Sequence, residues 1–367
     1  TNCQWIQKGS EMRMTVMILS LMLLLVATAC SSNVDKDNML PNVSETPALP
    51  SDSDKEENPP SSTVNDYFTQ QSTVGNVIND SAFGDFGRLL FPVDRPVRET
   101  MTLAEVSSSS VYIYYTNIKP EKTVEIVNRL KSQAESGIPV FYNIYTDAER
   151  AANPDKRNTG LFFFKGDPGR EYAVVNAGGA FVYVGAMHDS FPHALEISKK
   201  GYNAFALIYR PDNPYNDLAR AITFINDNAD RLGVKADGYS LWGGSAGARM
   251  AATLGNMEYL QYLTGRNDLP QAAAVVMQYT GYNTASRYDA PTYACVGKND
   301  GIAYWGTMQR RLQTLASMGI QTEFHAYEGL SHGFGIGTGT IAEGWTNDAI
   351  AFWEKQTNKT TGITNIK

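Results

Sequence analysis

The sequence has few of the residues that hold metals or covalent cross-links. Its 367 residues include only three cysteines and four histidines, and it contains neither a CxxC nor an HExxH motif. Three cysteines cannot build a disulfide framework, and without those motifs a zinc site has no support. Cys295 lies in the apolar run PTYACVG and is expected to be a small buried residue.

Basic segments and repeats are also missing. Lys and Arg number 31 against 38 Asp and Glu, the formal net charge is −7, and there is no Lys/Arg-rich run. Nucleic-acid binding therefore has little support, since it needs a positively charged face. No repeat with a period of about 20–50 residues occurs, which argues against solenoids and propellers. The composition, 43% hydrophobic and 19% charged, is typical of a globular protein.

Residues 12–29, MRMTVMILSLMLLLVATA, have the order of an export signal. Arg13 precedes an apolar run, and small residues end the segment at Ala29. The next residue, Cys30, resembles the lipidated cysteine of a bacterial lipobox. Residues 31–66 are rich in Ser, Asp, Asn and Pro and predict a disordered tether. We expect a cell-surface or cell-envelope lipoprotein that touches the membrane only through lipid at Cys30. Cleavage after Ala29 and simple secretion are the alternative.

From about residue 67 the chain becomes globular, and short apolar strands alternate with helical patterns. The predicted strands are VYIYY (111–115), PVFYNIY (139–145), LFFFK (161–165), EYAVVNA (171–177), NAFALIY (203–209), GYSLWG (238–243), AAVVMQY (273–279), PTYACVG (291–297) and QTEFHAY (321–327). Continuous apolar runs are typical of strands that are buried on both faces of a parallel sheet. We therefore predict an α/β fold with a doubly wound, mostly parallel sheet and helices on both faces.

The predicted domain boundaries follow from these changes in composition. They are 1–29 for upstream residues and signal peptide, 30–66 for the lipid-attachment cysteine and linker, 67–138 for an N-terminal extension or cap, 139–357 for the catalytic core, and 358–367 for a tail. In the extension, Pro120 opens a helical pattern. The extension either covers the active site or adds strands and helices to the edge of the sheet.

The motif GGSAG, residues 243–247, follows the apolar strand SLW and opens a helical stretch. A strand, a sharp turn and a helix are the context of a nucleophile elbow, which makes Ser245 the candidate nucleophile. Gly243 and Gly247 flank it because such a turn leaves no room for side chains. A small-residue turn with a helix-capping serine is the alternative reading.

A second glycine-containing loop, NAGGAF at residues 176–181, ends the strand EYAVV. In a nucleophile-elbow enzyme, a loop at this place donates a backbone N–H to the oxyanion, and the residue after the nucleophile donates another. Gly178, Gly179 and Ala246 are therefore the predicted oxyanion-hole residues. A plain glycine-rich turn is the alternative.

Two further motifs, GKND (297–300) and SHGFG (331–335), follow late strands. Asp300 and His332 are predicted to complete a Ser–Asp–His triad, in which the acid holds the imidazole tautomer and the histidine acts as base. The chain order Ser245, Asp300, His332 is the order of the α/β hydrolases. The other three histidines are His188 and His193, which follow the NAGGAF loop, and His325, which lies within a strand.

Together NAGGAF, GGSAG, GKNDGIA and SHGFG resemble the α/β-hydrolase superfamily over residues 139–356. The closest resemblance is to bacterial esterases and lipases of the acetyl-esterase-like and hormone-sensitive-lipase-like groups. This resemblance implies hydrolysis of short acyl esters through an acyl-enzyme, with no metal and no organic cofactor. The expected partner is a small-molecule or polysaccharide ester, with acetylated carbohydrate as one candidate. Phe181, Tyr183 and Trp305 either stack on a sugar or fill the core.

Three other functions remain open at this point. A serine peptidase or a lipase on the same fold would use the same triad. A non-catalytic surface binding protein on a hydrolase scaffold would keep the fold without the reaction.

Overall fold

The computed structural model describes residues 67–108 and 110–363. The predicted export signal, the lipidation site Cys30 and the linker 31–66 lie outside these residues. In the described part of the chain, no helix is both long and apolar enough to cross a membrane.

Within the described residues, one sheet of eight strands forms the centre of the structure. The strands are β1 (Phe141–Tyr142), β2 (Gly160–Phe164), β3 (Glu171–Asn176), β4 (Asn203–Ile208), β5 (Lys235–Gly244), β6 (Ala274–Gln278), β7 (Thr292–Gly297) and β8 (Thr322–Tyr327). Their order is β1-β2-β4-β3-β5-β6-β7-β8. β2 runs antiparallel to β1 and β4, and the other neighbours are parallel. Strands β2, β4, β6 and β7 are buried along their whole length, as their continuous apolar runs predict.

Helices connect these strands. They are α1 (Val74–Ile78), α2 (Leu103–Ser108), α3 (Pro120–Glu135), α4 (Asp147–Ala152), α5 (Ala186–Asp189), α6 (Phe191–Lys199), α7 (Pro214–Asp227), α8 (Ala229–Leu232), α9 (Ala246–Leu254), α10 (Met257–Thr264), α11 (Trp305–Ser317) and α12 (Trp345–Ile363). Short 3₁₀ helices cover Gly84–Leu90, Ser110–Tyr112 and Pro154–Asn158. Several ends follow local chemistry: Pro120 occupies the first turn of α3, and Gly233 ends α8 with a left-handed φ of 66°.

The direction of the crossovers places helices on both faces of the sheet. The chain moves from β3 through α6 to β4 on one side, then returns through α7 to β5 on the other side. Right-handed crossovers in opposite directions put α6 and α7 on opposite faces. α12 contacts α6, and α9 contacts α7, which extends each layer. The predicted doubly wound α/β fold is confirmed.

This reversal of direction also determines where a ligand can bind. Because β3 lies between β4 and β5, the chain leaves the carboxyl ends of β3 and β5 towards opposite sides. A crevice opens at such a switch point. The loop NAGGAF follows β3 and the motif GGSAG ends β5, so both motifs lie at this crevice.

The strand predicted for VYIYY (111–115) is wrong. Ser110–Tyr112 forms a 3₁₀ turn, and Tyr114 has a φ of 80°. The carbonyl groups of Ser110 and Val111 accept hydrogen bonds from the Arg95 side chain at 2.9 and 3.1 Å, rather than from a neighbouring strand. Burial of Val111 and Tyr112 explains the apolar sequence without strand pairing.

The described residues of segment 67–138 form helices and turns that pack against the core. Val74, Leu103 and Leu130 are completely or almost completely buried. After the 3₁₀ turn, the chain crosses to the loop that follows β8. The Thr116 side chain donates to the His332 carbonyl at 2.8 Å, and the Thr116 N–H donates to the Gly333 carbonyl at 3.2 Å. The segment therefore supports the loop after β8, which carries His332.

Candidate active site

Ser245 stands at a sharp turn between β5 and α9. Its backbone has φ 52° and ψ −115°, a conformation that L residues rarely adopt and that marks local strain. A side chain at Gly243 would collide with the backbone of Gly247, and one at Gly247 would collide with the carbonyl of Asn176. The turn therefore needs glycine on both sides of the serine and presents Oγ at the edge of the sheet.

Three side chains that are distant in sequence form a hydrogen-bonded chain at this edge. His332 Nε2 lies 3.1 Å from Ser245 Oγ, and His332 Nδ1 lies 2.8 Å from Asp300 Oδ2. The other carboxylate oxygen of Asp300 accepts hydrogen bonds from the N–H groups of Ile302 and Ala303, at 2.8 and 2.7 Å. The carboxylate is fully buried and held by backbone donors, so it orients the imidazole with Nδ1 as the donor.

The other acids near these loops are engaged elsewhere. Asp289 pairs with Arg311 at 2.9 Å inside the protein. Glu328 pairs with Lys298 and is largely exposed. Asp300 is thus the carboxylate that the fold delivers to His332.

The remaining three histidines serve other contacts. His193 Nε2 donates to Gln278 Oε1 at 2.7 Å, since the amide of Gln278 donates to the Gly335 carbonyl. His188 packs edge-on against Tyr112, with ring centroids 4.1 Å apart. Burial lowers the pKa of His193 to about 4 and that of His188 to about 3, so both are neutral near pH 7. His325 lies 2.9 Å from Glu323 on β8.

The oxyanion loop differs in detail from its sequence prediction. The N–H of Gly178 donates to Asp189 Oδ2 at 2.7 Å, so it is not free to bind an oxyanion. Within the described residues, the N–H groups of Gly179, Ala180 and Ala246 have no protein acceptor. Ala180 and Ala246 also line the cavity beside Ser245. The available donors are therefore Gly179, Ala180 and Ala246.

Asp189, which sequence reasoning missed, lies directly behind the nucleophile and this loop. Its carboxylate is almost fully buried and accepts hydrogen bonds from Gly178 N–H, from the Tyr115 hydroxyl at 3.1 Å and from the Tyr279 hydroxyl. Burial raises the pKa of the Asp189 carboxyl to about 6, although the three hydrogen bonds oppose this rise. The Tyr279 ring lies 4.9 Å from the His332 ring, measured between centroids. Asp189 thus contacts the oxyanion loop through Gly178 and lies next to the base through Tyr279.

The serine and histidine face an open cavity of about 400 Å³. Its lining is mixed, with hydroxyl and amide side chains from the loop after β6 (Thr280, Asn283 and Thr284) and apolar groups from Phe181 and Ile302. Of the aromatic candidates, Phe181 lines this cavity. Tyr183 is completely buried and donates to the Ile113 carbonyl, which makes it a core residue.

Trp305 does not line the cavity. It starts α11, packs against Tyr304 and lies 5.6 Å from the Lys298 ammonium group. Among the described residues, no group of three or more His, Cys, Asp or Glu side chains is arranged to hold a metal ion.

Many solved structures are similar to this chain. The acetyl ester–xyloside bifunctional hydrolase from Caldicellulosiruptor lactoaceticus has a TM-score of 0.50 at 18% identity, covering 59% of this chain and 95% of that one. An α/β hydrolase from a Medee basin deep-sea metagenome library has a TM-score of 0.48 at 19% identity, covering 59% and 97%. A thermophilic esterase from Thermogutta terrifontis has a TM-score of 0.49 at 18% identity, covering 57% and 89%. No family model and no curated protein matches the sequence.

The likeness to the first of these structures, at 18% identity, bears on the fold. Together with the strand order and the single antiparallel strand β2 inside an otherwise parallel run, it shows the α/β-hydrolase fold. The resemblance that the four motifs carried is confirmed at the level of fold.

Proposed function

We propose that the chain is a serine carboxylic-ester hydrolase that acts on short acyl esters. The observation that carries the proposal is the chain of hydrogen bonds Ser245–His332–Asp300 at the mouth of an open cavity. The fold supports it, since α/β hydrolases carry the nucleophile at the turn after β5.

In the first half-reaction, Ser245 Oγ attacks the ester carbonyl carbon while His332 Nε2 takes the hydroxyl proton. Negative charge moves to the carbonyl oxygen. The N–H groups of Gly179, Ala180 and Ala246, which have no protein acceptor in the described residues, are the proposed donors that stabilise that oxygen where the charge develops. The intermediate then expels the alcohol, which receives the proton from His332 and leaves an acyl-serine.

In the second half-reaction, water attacks the acyl-serine and gives a proton to His332. A second tetrahedral intermediate collapses, the serine oxygen takes the proton back, and the carboxylic acid leaves. Asp300 stays ionised and stabilises the imidazolium in both halves.

The size and lining of the cavity support the proposal that the substrate has a short acyl group and a polar alcohol. It is open and of moderate volume, about 400 Å³, and hydroxyl and amide groups form part of its lining. A series of nitrophenyl esters of increasing acyl length, run beside acetylated xylan, measures this preference. Fastest turnover of acetate and propionate esters is expected. Preference for long chains would favour the lipase alternative, and cleavage of a peptidyl amide would favour a peptidase.

The principal test removes the nucleophile. Ser245→Ala is expected to lower kcat on nitrophenyl acetate by on the order of 10³-fold or more, because no other group replaces the serine oxygen. A fluorophosphonate probe should label the wild type at Ser245 and leave the variant unlabelled. Folded wild-type protein that neither hydrolyses esters nor takes the probe would instead be a non-catalytic binding protein.

For the location, we propose a lipoprotein anchored through Cys30, with residues 31–66 as its tether. The export-signal order and the lipobox-like cysteine support this proposal. Fractionation of cells that express wild type or Cys30→Ser tests it. The wild type should partition with membranes and the variant should be soluble, whereas equal solubility of both would favour secretion after Ala29.

A further inference from the structure

Arg249 lies one helical turn after the nucleophile. Its backbone N–H donates to the Ser245 carbonyl at 3.2 Å, which makes it part of the first turn of α9. Arg249 is therefore about one helical turn along α9 from the nucleophile, which precedes the first residue of the helix. The Arg249 side chain is exposed and lines the same cavity as Ser245 and His332.

No carboxylate in the part of the chain that the structure describes neutralises the charge of Arg249. It forms no ion pair with any carboxylate in the described residues, and its guanidinium lies 5.8 Å from the Tyr282 ring centre. Arg311 provides the contrast on the same ring. It lies 5.4 Å from the ring centre, but it is buried and paired with Asp289 at 2.9 Å. Two arginines therefore lie beside the Tyr282 ring: Arg311 has a carboxylate partner, and Arg249 has none among the described residues.

The rest of the cavity lining offers no competing charge. Among the described residues, no aspartate or glutamate lines it, and the loop after β6 contributes hydroxyl and amide groups instead. Asp300 points its oxygens at His332 and at backbone N–H groups. In a chain of net charge −7, the nucleophile thus faces a cavity in which Arg249 is hydrogen-bonded to the neutral Tyr215 side chain and, among the described residues, has no carboxylate partner.

We propose that Arg249 binds a carboxylate of the substrate, so that the preferred esters are anionic. This inference rests on the proposed ester hydrolysis at Ser245. A guanidinium matches a carboxylate with two parallel N–H···O bonds, and its reach from α9 places that carboxylate a few bonds from the scissile carbonyl. Two ester types have this chemistry: acetylated uronic acids, with the carboxylate on the alcohol side, and half-esters of dicarboxylic acids, with it on the acyl side.

Two matched pairs of substrates distinguish these sources. Acetylated glucuronic acid is compared with acetylated glucose, and nitrophenyl hemisuccinate is compared with nitrophenyl butyrate. The readout is the ratio of kcat/KM for the anionic ester to that for its neutral partner. Arg249→Gln is expected to lower this ratio about tenfold or more for at least one pair, because charge-assisted hydrogen bonds are lost. The pair that responds identifies the side of the carboxylate.

Two further variants and a salt series serve as controls. Arg249→Lys keeps the charge but loses the planar fork, so its ratio should lie between those of wild type and Arg249→Gln. Arg231→Gln removes an exposed arginine that contacts Asn228 outside the cavity, and it should leave both rates unchanged. Added salt should lower the wild-type ratio, since the cavity is open to solvent.

The outcomes separate this inference from the proposed function. If Arg249→Gln leaves the ratio unchanged for both pairs while the neutral esters are hydrolysed and Ser245 takes a fluorophosphonate, the carboxylate site is wrong and ester hydrolysis stands. If wild type hydrolyses no ester and takes no probe, the proposed function is wrong and this inference falls with it.

Discussion

Two regions of the same sheet are built on opposite principles. At the β1–β2 side, which we call the aromatic edge, Phe86, Phe141, Phe162 and Phe191 pack ring against ring. Their centroid separations are 4.8 Å between Phe86 and Phe141, 5.1 Å between Phe141 and Phe162, and 4.9 Å between Phe162 and Phe191. Such pairs combine burial of large apolar surfaces with favourable ring geometry.

At the carboxyl ends of β3 and β5 to β8, which we call the catalytic edge, the backbone is strained in places and the buried groups are polar. Ser245, Ala180, Phe181 and Tyr279 all have positive φ, between 33° and 57°, and all line the cavity. Asp189 is buried behind them. Each strained residue of this kind costs about 1–3 kcal/mol and persists only where the surroundings enforce it.

The contrast indicates that stability and catalysis depend mainly on different parts of one fold. The aromatic edge contributes stability through packing, and the catalytic edge uses part of that stability to hold reactive groups in place. Changes at the catalytic edge should therefore act mainly on rate, and changes at the aromatic edge mainly on unfolding. The predictions below test that separation.

The largest effect is expected from Asp300→Asn. An amide cannot stabilise the imidazolium and favours the wrong tautomer of His332, so kcat should fall about 10³- to 10⁴-fold with little change in melting temperature. Nitrophenyl acetate turnover and a thermal melt measure both quantities. Glu328→Gln, which removes an exposed acid on a neighbouring loop, is the matched control with wild-type activity. A rate within tenfold of wild type for Asp300→Asn would contradict the assignment of the acid.

At the aromatic edge, Phe162→Ala should lower the free energy of unfolding by roughly 3–5 kcal/mol, because it removes a completely buried ring and leaves a cavity. Urea denaturation measures the loss. The kcat of the folded fraction should remain near that of wild type, and Phe162→Leu should cost less because it preserves more volume. A large loss of kcat without a loss of stability would break the proposed separation.

Asp189→Asn tests whether the buried acid acts on catalysis through its neighbours. The Asp189 carboxylate positions Gly178 and Tyr279, so its replacement should lower kcat/KM about 10- to 100-fold. Because burial raises its pKa to about 6, wild-type activity should rise as this group ionises, and the variant should lose that step from the acid limb of its pH profile.

A purely structural role for Asp189 would change stability and leave the shape of the pH profile intact. Tyr279→Phe, which removes one of the hydrogen bonds to the carboxylate, should shift the same step rather than abolish it. An unchanged acid limb in Asp189→Asn would show that Asp189 only supports the fold.

The smallest expected effect concerns pH and His193. Burial holds its folded pKa at about 4, below the unfolded value of about 6.5, so its contribution to stability is present above pH 6.5 and is lost as pH falls towards 4. From about pH 7 to about pH 5.5, this histidine should cost roughly 1 kcal/mol of unfolding free energy.

His193→Gln should reduce that dependence on pH, whereas His325→Gln, at a half-exposed position, should keep it. Urea denaturation at several pH values gives the slopes. Equal slopes for wild type and His193→Gln would show that the buried imidazole does not set the acid sensitivity of this region.

Much of the fold could be predicted from the sequence because continuous apolar runs and short-range sterics have local causes. Eight of the nine predicted strands overlap observed ones, and the turn at Ser245 needs the two glycines that the motif supplies. VYIYY failed because burial alone does not specify pairing. The carbonyl of Val111, its first residue, and that of Ser110 just before it accept hydrogen bonds from Arg95, about 15 residues earlier in the chain, and no local pattern reveals that side chain as a partner.

The candidate site shows the same limit. The motifs and their chain order predicted that Ser245, Asp300 and His332 lie at the same edge of the sheet. The structure brings their side chains into hydrogen-bond contact. The sequence also suggested Gly178 as an oxyanion donor. Its N–H is bonded to Asp189, a partner that becomes visible only when α5 folds back onto the loop after β3.

The sequence by itself determined the doubly wound sheet, the position of the nucleophile turn and the identity of the three residues that meet there. These depend on hydrophobic runs, on glycine sterics and on the rule that parallel strands end at one edge. The tertiary structure decided which polar groups are already engaged and which are free: Gly178 is bonded, Ala180 faces the cavity, and Arg249 lacks the carboxylate that Arg311 has. The physical reason is that hydrogen bonds and ion pairs are allocated between residues far apart in sequence, as between Tyr279 and Asp189, which are 90 positions apart. Only the packed chain brings such partners into contact.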